Sequence, residues 1–218
     1  MNTTHEPAAP LLIACALGIE KFALRTGDRS GAAGPVTVLR TGMGPKAAER
    51  AVGRTLAGGA LHQAAVIATG FCAGLAPGMH PGDLVVAEHT VDDRGTTPCE
   101  GTALLVEELV KAVPGRTVHT GPLTGSAHVV RGHERAELLA KGSIAVDMES
   151  AATLHSARDS AYPGGRRPVA AVRVVVDAPE HELVRISTVR GGISAFRVLR
   201  SVLPAFYEWH RSLLLPRR

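Results

Sequence analysis

Six short apolar runs set the strongest limit on what this chain can fold into. They are LLIACA (11–16), VTVLRT (36–41), AAVIATG (64–70), GDLVVAE (82–88), SIAVD (143–147) and VAAVRVVVD (169–177). Each is nearly continuous rather than alternating, which is the pattern of a strand buried on both faces. Such strands need helices on either side. The stretches between the runs supply them, with helices expected over Pro45–Leu56, Ala103–Ala112, Glu134–Lys141, Met148–Ser160 and from about Ile193 onward. Pro45 suits a first helical turn and Gly58-Gly59 a helix end. The fold class is therefore α/β: a single three-layer α/β/α domain around a central mixed, largely parallel sheet. Residues 1–9 read as a disordered tail and residues 10–218 as the domain, with no repeat or compositional break.

In open sheets of this kind ligands gather at the carboxyl ends of the strands. Polar residues collect there. Glu20 follows the first run, Thr69-Gly70 ends the third, Asp147 and Glu149 bracket Met148 after the fifth, and Asp177 ends the last. Any one acid could be a helix cap or an exposed turn. The set of them points to a site.

Other chemistries fit poorly. GMGPKA (42–47) matches a glycine-rich dinucleotide turn, but the next strand ends in Thr-Gly and not in the acid that would hold a ribose. Gly42 and Gly44 are therefore read as a tight strand-to-helix turn. The ten histidines fall in no metal or triad motif, and the three cysteines, Cys15, Cys72 and Cys99, form no close pair. No metal and no cofactor is expected. A formal charge of +4 without basic runs, and with 3% aromatics, excludes an evident nucleic-acid surface. The N-terminal stretch lacks a signal-peptide pattern, and no run of eighteen apolar residues occurs. A cytoplasmic protein is the expectation.

Taken in order, the pieces ACALGIEKFAL (14–24), VLRTGMG (38–44), ATGFCAGLAPGMHPGDLVVAE (68–88), GPLTGSAHVV (121–130), AVDMESAA (145–152) and AVRVVVD (171–177) resemble the nucleoside phosphorylase superfamily. The likeness is closest to its nucleosidases, which include the methylthioadenosine/S-adenosylhomocysteine nucleosidases. It spans about three quarters of the chain, and VDMESAA is its most specific part. The resemblance implies an enzyme that cleaves the bond between a purine and ribose. It implies that Asp177 protonates or hydrogen-bonds the base at N7, and that Glu20 positions the attacking water. Glu149 would bond the ribose hydroxyls, Met148 would pack on the sugar, and His128 and Val129 would contact the base. Gly70 and Phe71 belong to the turn beside the substrate. Asp147 is left to orient or cap.

Phosphorylases of the superfamily place Arg and Ser near the turn where this chain has Ala68 and Phe71. Phosphate thus lacks its usual partners, and water is the expected nucleophile. CALGIEKFALR, VLRTGMGPKAAERAV and STVRGGISAFRVLRSVLPAF are similar to a further branch, the hopanoid-associated nucleosidases, which release adenine from adenosylhopane. The substrate implied is a small-molecule nucleoside, lipid-linked in the hopanoid-associated branch. Methylthioadenosine/S-adenosylhomocysteine cleavage, purine nucleoside phosphorolysis and a non-catalytic nucleoside-binding module remain the alternatives. The resemblance also implies a homo-oligomer. The C-terminal stretch holds Phe196, Phe206, Tyr207 and Trp209 beside several arginines. It is expected to be helical, to be divided at Pro204, and to touch a membrane surface weakly.

Overall fold

The computed structural model describes residues 9–163, 165–178 and 187–215, with the backbone alone over 187–193. The expected tail lies outside the described residues except for Ala9. In chain order the elements are β1 (Leu11–Cys15), α1 (Gly18–Arg25), β2 (Val36–Arg40), α2 (Pro45–Leu56), β3 (Ala65–Gly74), β4 (Leu84–Asp92), β5 (Gly95–Pro98) and α3 (Thr102–Ala112). They continue with β6 (Val118–Gly125), α4 (His133–Ala140), β7 (Ala145–Asp147), α5 (Ser150–Asp159), β8 (Val169–Asp177), α6 (Ser187–Ser201) and α7 (Leu203–Leu213).

The sheet is mixed. Strands β2, β1 and β3 run parallel side by side, and β8 lies parallel to β3. The far end of β3 pairs antiparallel with β7, which is parallel to β6, which is parallel to β4. Strand β4 then pairs antiparallel with both β5 and β8. Because β8 reaches both β3 and β4, five strands close into a ring (β3, β7, β6, β4, β8), and β1 with β2 extends from it as a wing.

The continuous apolar runs are explained by the two cores. Leu11, Ile13, Ile67, Val172 and Val174 face one core, with side chains of α1, α3, α6 and α7. Their neighbours Leu12, Val66, Ala68, Ala171 and Val175 face the other, with Val52 and Leu56 of α2 and Leu154 and Ala157 of α5. Alternate side chains point to opposite faces of a strand, so a sheet covered on both sides makes every position apolar. This is the three-layer arrangement expected from the sequence.

Three elements were not anticipated. Strand β6, VHTGPLTG, contains Gly121 and Pro122, which argue against a central strand. The structure accommodates the proline at a break in the β4–β6 register between Ala87 and His89, opposite the missing N–H. The polar β5 pairs only at an edge, and α1 begins at Gly18 directly after the first strand.

The C-terminal segment divides as expected, α6 ending at Ser201 and α7 starting with Pro204 in its first turn. Its aromatics correct the expectation of a membrane-facing surface. Phe206, Tyr207 and Trp209 are buried in the first core, and the Trp209 indole N–H donates to the Glu100 carbonyl at 2.7 Å. Phe196 stacks on Phe22 of α1, with ring centroids 6.2 Å apart. No helix among the described residues is long and apolar enough to cross a membrane.

Candidate active site

A cavity of about 290 Å³ opens at the carboxyl ends of β1, β3, β6, β7 and β8. Glu20, Phe71, His128, Val129, Met148, Glu149 and Asp177, named from the sequence, all border it. Gly70 does not. It lies one layer deeper, and its role is steric.

Glu20 is buried on α1. Its Oε2 accepts the backbone N–H groups of Ala16 and Leu17 at 2.9 and 2.8 Å, and its Oε1 accepts that of Phe71 at 2.8 Å. The same carboxylate therefore closes the first turn of α1 and ties β1 to β3 at the cavity wall. Gly70 makes room for it. The φ of Gly70 is +128°, and a Cβ there would stand 2.5 Å from Glu20 Oε1 and 2.6 Å from Arg173 Nη1.

Arg173 was passed over in the sequence, although a single arginine inside a nine-residue apolar strand was the available signal. Its side chain is buried against Asp147, 2.5 Å away, and it donates to the Ser150 hydroxyl at 2.7 Å and the Thr69 carbonyl at 2.6 Å. Burial works hardest against its charge, but Asp147, Glu149 and Glu20 together outweigh that and hold its pKa above the ordinary arginine value. Asp147 does the capping: its Oδ1 accepts the N–H groups of Glu149 and Ser150 at 3.1 and 3.0 Å.

With Asp147 occupied, Glu149 is free to serve the cavity. Its Oε1 accepts the Gly44 N–H at 2.7 Å. Gly44 has a φ of +86°, so the glycine turn after β2 is bent into a shape that donates to Glu149. Burial raises the Glu149 pKa above the usual range, and the Asp147 and Glu20 charges add to this. Arg173 and the Gly44 N–H oppose it.

Asp177 stands at the end of β8. Its Oδ2 lies 3.2 Å from Nη2 of Arg135, a buried residue of α4, while its Oδ1 is buried with no hydrogen-bond partner among the described residues. His128 and Val129 sit at the mouth. The His128 ring is 3.0 Å from Glu134, and Val129 is 61% exposed. Met43, 66% exposed, adds a further apolar side chain to the same rim. Cys72 also borders the cavity, where burial pushes its thiol pKa up and keeps it from acting as a thiolate. Among the described residues that border the cavity, none is Arg, Lys, Ser or Thr.

The chain matches the phosphorylase superfamily over residues 19–204. It belongs to that superfamily. Solved structures share its fold at low identity. The 5′-methylthioadenosine/S-adenosylhomocysteine nucleosidase of Neisseria meningitidis, in complex with methylthio-immucillin-A, superposes with a TM-score of 0.70 at 18% identity, covering 90% of this chain and 99% of its own. That of Streptococcus pneumoniae, with a transition-state inhibitor, gives 0.67 at 20%, covering 91% and 98%. Futalosine hydrolase of Helicobacter pylori gives 0.73 at 15%, covering 93% and 98%. A search of curated proteins found no match. For this superfamily member the fold is thus shared across nearly the full length of enzymes that act on nucleosides.

Proposed function

We propose that this protein is a purine nucleosidase that hydrolyses the adenine–ribose bond of an adenosyl compound, with adenosylhopane as its substrate and ribosylhopane and adenine as products. The observation that carries the reading is the convergence of Glu20, Glu149 and Asp177 on one cavity. In the proposed reaction, positive charge develops on the sugar as the C1′–N9 bond breaks. The Glu149 carboxyl, held by the Gly44 N–H, faces the ribose hydroxyls and strengthens its bonds to them as that charge grows. Asp177, at the cavity wall, faces the purine, where general acid catalysis is worth ~10²–10⁴-fold. Glu20, fixed by three backbone N–H groups, holds the attacking water on the other side of the sugar.

Water rather than phosphate is favoured because no cation or hydroxyl side chain borders the cavity among the described residues, and Arg173 is fully engaged below it. The large apolar substituent is favoured by the mouth, where Met43 and Val129 stand exposed and where Ile19 and Phe22 expose further apolar surface on α1, next to Glu20. This rim, and not the buried C-terminal aromatics, is the surface suited to a lipid-linked nucleoside. Purified protein incubated with adenosylhopane, S-adenosylhomocysteine and methylthioadenosine, each with and without phosphate, tests the reading by chromatography of adenine. Adenine released fastest from adenosylhopane and independent of phosphate is the expected result. Faster release from the two soluble nucleosides reassigns the substrate, and a ribose 1-phosphate product that tracks phosphate overturns hydrolysis.

A further inference from the structure

We infer that a second cavity, separate from the catalytic one, is a binding site for a phosphate-bearing ligand. It measures about 400 Å³ and lies where the end of α3 meets α6. Arg116 borders it beside Val113 and Pro114, and α6 faces it with Ser194, Arg197 and Ser201. Their spacing of three and four residues sets these last three on one side of the helix. None of the residues lining this cavity is acidic, and none borders the catalytic cavity.

Arg116 is set in place rather than left to solvent. It is half-buried, and its Nη1 donates to the Pro81 carbonyl at 3.3 Å while its Nη2 donates to the Ser194 hydroxyl at 2.6 Å. The loop it rests on is fastened to the sheet, since the Gly82 N–H donates to the Val175 carbonyl of β8 at 2.8 Å. Gly82 permits the approach. Its φ is +95°, and a Cβ there would stand 2.8 Å from Arg116 Nη1 and 3.0 Å from Ser194 Oγ. An arginine that only closed α3 would bond the last carbonyls of that helix. Arg116 reaches across to the loop and to α6 instead.

The positive charge is not neutralised from within. The arginines that pair with a carboxylate among the described residues are Arg94, Arg135, Arg158, Arg173 and Arg211, and neither Arg116 nor Arg197 is one of them. Asp83 follows Gly82 in the chain, but its Oδ2 accepts the His80 N–H at 2.9 Å and lies 3.1 Å from the His119 ring. Tying the loop to α6 needs one hydrogen-bond donor. Two cations on one cavity repel each other unless an anion lies between them. A guanidinium fork matches two phosphate oxygens. Ser194 accepts from Arg116 and so retains its own proton for a third oxygen, and Arg197 supplies the second charge. Val113, Pro114 and Val198 form apolar walls for the organic part of an ester. A soluble phosphate and a phospholipid headgroup share this chemistry.

Wild-type protein and the variants Arg116→Gln, Arg197→Gln and Arg54→Gln are titrated with inorganic phosphate at constant ionic strength, by calorimetry and by thermal melts. Arg54, exposed on α2, controls for the loss of one charge. Melting of the wild type and of Arg54→Gln should rise by about 3–6 °C at ten times the dissociation constant. Affinity should fall at least about tenfold in both cavity variants. Arg197 is exposed, so its variant keeps the test open where Arg116→Gln does not fold. Vesicles of phosphatidylcholine, with and without phosphatidic acid, are floated with the same proteins. Flotation that needs phosphatidic acid, is lost in Arg197→Gln and is competed by phosphate assigns a lipid headgroup. Phosphate binding without flotation assigns a soluble phosphate. Unchanged affinity in a folded cavity variant, an equal loss in Arg54→Gln, or wild-type protein that binds neither phosphate nor vesicles overturns the inference. Adenine release enters none of these readouts, so the outcome is independent of the reading of the catalytic cavity.

Discussion

Replacing Gly70 by alanine tests the layer beneath the cavity with a single methyl group. The φ of +128° is open only to glycine, and an alanine forced into it is strained by about 1–3 kcal/mol. The methyl would also stand 2.5 Å from Glu20 Oε1 and 2.6 Å from Arg173 Nη1. Neither can shift without straining the bonds that hold it. Glu20 is held by three N–H groups, and Arg173 by Asp147, Ser150 and Thr69. Overpacking of this kind costs a further ~1–3 kcal/mol. The sum, about 2–6 kcal/mol, is a large part of the ~5–15 kcal/mol that keeps a domain folded. At roughly 2–4 °C per kcal/mol for a chain of this size, melting should drop by roughly 5–20 °C. Relief of the clash moves the Glu20 carboxylate by about 1 Å, enough to lose ~10²-fold in rate. Gly78→Ala is the control, because φ there is +77° and no atom lies within 4 Å of the added carbon. It should show the strain without the loss of rate. Thermal melts followed by circular dichroism, with adenine release measured beside them, give both readouts. A Gly70→Ala protein that melts and turns over like Gly78→Ala would refute the packing of Glu20, Gly70 and Arg173 described above.

Glu149→Gln should cost at least ~10² in rate while stabilising the folded chain near pH 8. Burial raises the Glu149 pKa, so its proton is bound more tightly in the folded state. Its contribution to stability is present below the unfolded value of about 4.3 and is lost as pH rises through the raised one. The melting gap between variant and wild type should therefore close towards pH 4, and a gap independent of pH contradicts this. Trp209→Ala should destabilise by about 3–5 kcal/mol for the lost ring, and by about 1 more for the Glu100 carbonyl left unpaired. A urea-unfolding shift below about 1 kcal/mol would place the ring outside the core. Arg173→Met strands the buried Asp147 and should cost about 3–5 kcal/mol, measured in the same way.

The parts legible in the sequence were those with one dominant cause. Strands β1 and β8 were read almost to the residue because burial on both faces leaves an unbroken apolar record, whereas β3 runs four residues past the expected end at Gly70. The strand-end acids were found because carboxylates are rare beside such runs. What escaped detection depends on partners distant in sequence. Arg135 in HERAELLA has the look of a solvated helix face, and only the arrival of β8 turns it towards Asp177. The pattern also could not say which acid of the Asp147–Glu149 pair caps the helix. That was decided by Arg173, which draws Asp147 inward and leaves Glu149 to the cavity. The C-terminal aromatics misled because a run of aromatics and arginines has the same composition whether its ring faces meet lipid or the underside of α3 and β1.

Strand β3 has a consequence for how the protein comes into being. It is hydrogen-bonded to β1, β7 and β8, and β8 is the last strand to leave the ribosome. Until β8 arrives, Ile67, Val66 and their neighbours have an open edge, and Asp177 has not yet joined Glu20 and Glu149. Long-range pairing of this sort is slow and leaves unpaired edges exposed meanwhile. A nascent chain halted before residue 169 should thus be both inactive and prone to associate through β3, whereas one extended through Trp209 can close the ring. The arrival of β8 thus completes the ring of strands and the wall of the cavity in one late step of synthesis.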